Sequence, residues 1–117
     1  MAIKPNIFSW DTVKKANGKF NLGATEWNNF METLCEEVEY VGYNRWGYTT
    51  AEKGASFTAG IYNEAVNILK NQLGMGGYGT LDFQKPGNEI TSLMLNNLVS
   101  ELNQAINTYT ENSKPMG

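Results

Sequence analysis

The sequence predicts an all-α protein with a three-helix core that is built from three degenerate helical repeats. Three stretches of the chain align without gaps on a shared asparagine, and Asn28, Asn63 and Asn96 are 35 and 33 residues apart. At about 100° per residue, the apolar positions around each asparagine fall on one stripe of a helix. Three such amphipathic helices can bury their stripes against one another, which none of them can do alone.

Capping residues set the limits of the predicted helices. Thr58 and Thr91 stand where a hydroxyl can accept a hydrogen bond from the first helical turn, and Gly23 holds the same place in the first repeat. Gly42 and Gly74 follow the first two helices, and glycine suits the left-handed conformation of a C-terminal cap. The predicted helices cover residues 24–41, 58–73 and 91–109. The chain is thereby divided into an extended N-terminal arm (1–20), a three-helix repeat domain (21–109) and a flexible C-terminal tail (110–117).

The shared asparagines are assigned a structural role. On a helical projection each lies about 60° from the edge of the apolar stripe, at the boundary between core and water. An amide in that place can donate to and accept from main-chain groups. We predict that Asn28, Asn63 and Asn96 bond to the backbone of the turn that precedes each helix. Plain solvent exposure of the three side chains is the alternative.

The composition of the chain excludes several classes of function. The 117 residues suit one compact domain, and a net charge of −3 without a basic stripe predicts no nucleic-acid partner. With no His and one Cys, we expect no metal ion and no cofactor, and we predict that the protein is not an enzyme. No apolar run approaches the roughly 20 residues of a membrane span, so no membrane partner is expected. These exclusions favour assembly or binding over catalysis.

Aromatic side chains are concentrated outside the predicted helices. The N-terminal arm carries two of them near each other, and it either caps the helical bundle or docks on a neighbouring subunit. The connection after the first helix has three more, together with an arginine. Such side chains mark binding hot spots where they are exposed, and they also line sugar-binding surfaces, whereas packing over the open end of the bundle is the plainer interpretation. The candidate interface anchors are Phe8, Trp10, Tyr43, Arg45, Trp46 and Tyr48.

Two further patterns invite a functional interpretation. Residues 74–79 match the glycine-rich dinucleotide fingerprint, but a helix precedes them where the fingerprint needs a strand, so they predict a loop. Four glutamates crowd the C-terminal half of the first helix, where the helix dipole disfavours negative charge. They favour a solvated acidic face or, alternatively, contact with a cationic partner. These glutamates are Glu32, Glu36, Glu37 and Glu39.

The repeated phrase resembles a pattern in small virion proteins of bacteriophages. An apolar residue followed by Thr-Ala, beginning at Phe57, precedes an aromatic-Asn pair such as those that begin at Trp27 and Tyr62. This pattern is similar to the N-terminal segments of tail-fibre and baseplate proteins, and to short virion proteins, of phages that infect Gram-positive bacteria. The resemblance covers about residues 8–38 and 54–73.

The resemblance implies a non-enzymatic structural role in a phage or phage-derived particle, with other virion proteins as partners. Three copies of the pattern in one short chain favour a small adaptor, collar or baseplate module of the tail over a fibre. Symmetric particles are built by repeated contacts, so a homo-oligomer is expected, located in the virion after synthesis in the host cytoplasm. A small ligand-binding module, with carbohydrate on the aromatic surface from Tyr43 to Tyr48, is the alternative.

Overall fold

The computed structural model describes residues 4–10, 22–44, 47–53, 57–76, 81–87 and 89–113. These residues form three helices and no strand, which confirms the predicted all-α class with a three-helix core. Helix α1 covers Ala24–Tyr40, α2 covers Ala59–Asn67 and α3 covers Ser92–Thr108. A π-helical turn, Ile68–Gln72, continues α2. No helix in this part of the chain is both long enough and apolar enough to cross a membrane.

The predicted caps delimit the helices. Thr58 and Thr91 each accept a hydrogen bond at Oγ1 from the backbone N–H three residues later, at 3.3 and 3.2 Å. Gly23 precedes α1 in an extended conformation without a side-chain cap. Gly42 and Gly74 adopt φ values of 112° and 65°, so both glycines provide the positive φ that the C-terminal caps require. The sequence prediction of these ends is confirmed.

The end of α2 differs from a regular α-helix because its last turn widens. The Leu73 N–H donates to the carbonyl oxygen of Ile68 at 3.2 Å, and the Met75 N–H donates to that of Leu69 at 2.8 Å. These bonds reach back five and six residues, where an α-helical bond reaches back four. The wider turn allows Ile68, Leu69 and Leu73 all to be buried in the core.

The apolar stripes of the three helices meet in one core. The positions six and ten residues after each shared asparagine are at most 1% exposed, as the aligned pattern predicts. They are Leu34, Val38, Leu69, Leu73, Leu102 and Ile106. Trp10 and Leu81, from the segments that precede α1 and α3, are buried in the same core.

Three segments without helix or strand border the bundle. We name them S1 (residues 4–10), S2 (47–53) and S3 (81–87). Each segment has an inward side chain near its start: Pro5 and Leu81 are buried, and Tyr48 is half-buried. The remainder of the predicted arm (1–3 and 11–20) and the end of the predicted tail (114–117) lie outside the described residues, so the division into arm, domain and tail stays a prediction.

Candidate functional site

Each helix holds one of the three segments through the side-chain amide of an asparagine. On α1, Asn28 donates from Nδ2 to the carbonyl oxygen of Ala51 at 3.0 Å and accepts at Oδ1 from the Ala51 N–H at 2.8 Å. An extended residue directs its N–H and its C=O to the same side, as in an antiparallel sheet, so one amide can bind both groups. We call this pair of bonds an asparagine clamp.

The same clamp occurs on the other two helices. On α2, Asn63 holds the backbone of Gln84 through bonds of 2.8 and 2.7 Å. On α3, Asn103 holds the backbone of Phe8 through two bonds of 2.8 Å. The helix therefore replaces the neighbouring strand that an extended segment would otherwise need.

The three clamps follow a cyclic order. S2 and S3 are held by α1 and α2, the helices that precede them in the chain, over separations of 23 and 21 residues. S1 precedes all three described helices, and it is held by α3 over a separation of 95 residues. The contact between S1 and α3 therefore closes the arrangement by joining elements from opposite ends of the described chain.

The prediction that the shared asparagines bond to the backbone of the preceding turn is only partly correct. Asn28 and Asn63 do bond to backbone, but to the segment that follows their own helix instead of the turn that precedes it. On α3 the clamp is made by Asn103, seven residues or about two turns after Asn96 on the same face. Asn96 is half-buried, and no hydrogen bond links its side chain to the part of the chain that the structure describes. Sequence analysis missed Asn103, although its heptad spacing from Asn96 was visible.

The two aromatic residues of S1 pack against their own chain. Trp10 is 2% exposed, and its indole N–H donates to the carbonyl oxygen of Leu95 at 3.1 Å. Phe8 is half-buried, with its ring edge-on to Trp10 at 5.1 Å and to Phe30 at 5.5 Å. Of the two possibilities for the arm, S1 takes the first and covers the bundle. Trp10 is therefore inaccessible to a partner in this conformation.

The remaining predicted interface residues are only partly within the described chain. Tyr43 and Tyr48 are half-buried, and the Tyr48 hydroxyl donates to Oε1 of Glu32 at 3.2 Å. Arg45 and Trp46 lie outside the described residues. The interface role of this connection stays a prediction.

Large apolar side chains are exposed at positions that sequence analysis did not select. Ile7, Phe83 and Leu93 are 61%, 51% and 42% exposed. Ile7 and Phe83 directly precede the clamped residues of S1 and S3, so the two side chains occupy equivalent places on their segments. Phe83 also has the Lys70 ammonium 5.7 Å from its ring centre, within the range of a cation–π contact.

One glutamate of the predicted acidic face is fully buried, and a solvated position for Glu37 was therefore wrong. Its side chain is 0% exposed, and neither carboxylate oxygen has a hydrogen-bond partner among the residues that the structure describes. Burial raises the pKa of Glu37 to about 7, against the attraction of Lys4, which lowers it. The period of α1 places this position two turns after the buried Phe30, at the edge of the apolar stripe, where the sequence could have indicated burial.

The described residues include a surface pocket but no candidate metal site. The pocket, of about 300 Å³, lies beside α3 and is lined in part by Met75, Glu101, Gln104 and Tyr109. Among the described residues, no group of three or more His, Cys, Asp or Glu side chains is placed to hold a metal ion. No family model matches the chain, and no curated protein or solved structure matches it either.

Proposed function

We propose that this protein is a non-enzymatic structural protein of a phage or phage-derived particle, where it acts by docking to other virion proteins and to its own copies. The observation that carries the proposal is the exposure of Ile7 and Phe83 beside the clamps of S1 and S3. A single exposed apolar side chain is ordinary on a protein surface. Here two occupy equivalent places on backbone that is already fixed to a helix.

Fixed backbone favours binding because less conformational entropy is lost when a partner docks. Ordering a loop or a side chain at an interface opposes association, and a preorganised segment has already lost that freedom on folding. The clamps hold the main chain of Phe8 and Gln84, so the adjoining apolar side chains are presented from defined positions. Such anchors carry much of the binding energy of an interface when a partner covers them.

The assignment of this protein to a phage particle is based on the sequence. The repeated pattern within residues 8–38 and 54–73 supports a phage tail, collar or baseplate module and a location in the virion. The predicted anchors Tyr43, Arg45 and Trp46 add a second docking region between α1 and S2. Repeated contacts of this kind are what a symmetric particle uses.

Light scattering on the purified chain tests the proposal. We expect a defined oligomer whose mass rises with protein concentration, and a shift towards monomer in Ile7→Ser and Phe83→Ser without a change in the melting temperature. Leu93→Ser removes a comparably exposed apolar side chain that adjoins no clamp, and it serves as the control. A strict monomer that fails to bind isolated virion proteins contradicts the proposal.

The Trp46→Ala variant separates the proposed role from carbohydrate binding. If the aromatic connection is a protein interface, the substitution weakens the oligomer or the binding of a virion protein. Glycan-array binding that is present in the wild type and lost in this variant, with the oligomer unchanged, would support the ligand-binding alternative instead.

A further inference from the structure

Residues from both terminal segments of the described chain lie near the last turn of α1. From S1, the Lys4 ammonium is close enough to act on the Glu37 carboxyl. From the residues after α3, Tyr109 interacts with the same carboxyl, and the Asn112 N–H donates to the carbonyl oxygen of Tyr40 at 2.9 Å. Glu37 is thus buried near residues of both of these described segments.

We propose that Glu37 is a proton-operated latch, whose neutral form keeps S1 and residues 109–113 packed on the end of α1 and whose ionised form releases them. The inference goes beyond docking and does not depend on it. It stands on the geometry of a fully buried carboxyl whose two oxygens find no hydrogen-bond partner within the described part of the chain. Burying an ionised carboxylate without hydrogen bonds is strongly unfavourable, whereas the neutral acid loses much less solvation. Release of the covering segments lets water solvate the charge.

The neighbouring groups decide the direction of the effect. Lys4 attracts the ionised form and therefore opposes release, but it is exposed, and burial outweighs it. On the other side, burial and the charge of Glu37 raise the pKa of Tyr109, and Tyr43 contributes in the same direction. Because burial brings the pKa of Glu37 to about 7, this carboxyl changes its charge between about pH 5 and pH 8.

The pH range over which the segments are released follows from the pKa of Glu37 in the closed and open states. In the closed state the pKa of Glu37 is about 7, and in the open, solvated state it returns towards 4.5. The closed state therefore binds more protons, and it is favoured at low pH. Opening becomes easier as the pH rises from about 4.5 through 7, and it changes little above about pH 8.

Hydrogen exchange at individual amides, corrected for the intrinsic effect of pH on exchange, tests the latch in the full chain. The Phe8 N–H and the Asn112 N–H report on the two terminal segments, and the Gln84 N–H in S3 is the internal control. Between pH 5.5 and pH 8 we expect opening at the first two amides to increase roughly 30-fold, with no matching increase at Gln84.

Variants identify the responsible proton. Glu37→Gln and Glu37→Met should abolish the pH dependence at both terminal amides, while Glu36→Gln, an exposed neighbour on the same helix, should leave it intact. Lys4→Gln should enlarge it, because the attraction that opposes release is lost. Two results would overturn the proposal: equal pH dependence at Phe8, Asn112 and Gln84, which indicates global unfolding, or pH dependence that survives both substitutions at position 37.

Discussion

S1 and S3 are held by the same asparagine geometry, yet they close very different lengths of chain. The clamp of S3 joins residues 21 apart and the clamp of S1 joins residues 95 apart. Closing the longer loop costs roughly 1 kcal/mol more conformational free energy, since the cost grows with the logarithm of length. S1 also has the larger apolar anchor: the buried side chain is Trp10 in S1, whereas it is the smaller Leu81 in S3. The clamp therefore determines which residue of the segment faces the helix, while the buried anchor contributes most of the free energy that holds the segment in place.

The two segments differ again in the charges that they cover. Lys4 of S1 acts on the Glu37 carboxyl, whose oxygens have no hydrogen-bond partner among the described residues. In S3 the charged side chains of Asp82 and Lys85 are exposed to solvent. A buried titratable group makes the docking of S1 sensitive to pH, and the docking of S3 lacks that dependence.

The largest effect is expected from removal of the S1 anchor. Trp10→Ala should lower the free energy of unfolding by about 3–5 kcal/mol, because it leaves a cavity between Trp27 and Phe30 and removes a buried hydrogen bond. Leu81→Ala, which removes the buried anchor of S3 at a different place along its segment, should cost about 2–4 kcal/mol. Urea unfolding of both variants measures the difference. A smaller loss for Trp10→Ala than for Leu81→Ala would contradict the view that S1 needs the larger anchor.

The next effect concerns the pH dependence of global stability. The difference in the free energy of unfolding between Glu37→Gln and the wild type should grow by on the order of 3 kcal/mol, in favour of the variant, from about pH 4.5 to pH 8. The variant lacks the carboxyl that must ionise in the core. The sign follows from the raised pKa: the stability contributed by the neutral carboxyl is complete below pH 4.5 and is lost as the pH rises through 7. Denaturant unfolding at a series of pH values checks this, and parallel stability curves for the two proteins would contradict it.

The sequence predicted the helices well because local chemistry determines them. Thr58, Thr91, Gly42 and Gly74 act on backbone groups within a few residues, so their effect could be recognised without knowledge of the tertiary structure. The burial of the aligned apolar positions followed in the same way from the helical period.

The clamp partners and the buried carboxyl depend on contacts between distant parts of the chain. The pattern placed Asn28 and Asn63 at the border of the core, but which backbone they bind is determined by where the next segment crosses the helix. On α3 the crossing segment is S1, from the opposite end of the described chain, and it meets Asn103 instead of Asn96. The period of α1 places Glu37 at the edge of the apolar stripe, but no local pattern within α1 indicates that Lys4 and Tyr109 approach it from distant segments.

A smaller effect is expected at Gly76, which packs against the first residue of S3. Gly76 has a φ of 79°, and a Cβ there would lie 2.9 Å from the Leu81 Cβ. Gly76→Ala should therefore cost about 2 kcal/mol, from the strained backbone and from displacement of the S3 anchor. Gly87 has a similar φ of 90° with open space around it, so Gly87→Ala isolates the backbone contribution at about 1 kcal/mol. Thermal unfolding of the pair measures the difference, and equal losses would show that the Leu81 contact is unimportant.

The smallest effects come from the clamps themselves. Asn63→Ala and Asn103→Ala should each cost about 1–2 kcal/mol, because two hydrogen bonds are lost in a partly buried site and the freed backbone groups can still reach water. Asn96→Ala, on the same face of α3 as Asn103, should change the free energy of unfolding by less than about 0.5 kcal/mol. Denaturant unfolding of the three variants is the measurement. If Asn96→Ala matched Asn103→Ala, the loss would reflect the helix surface in general, and the clamp would have no specific part in holding S1.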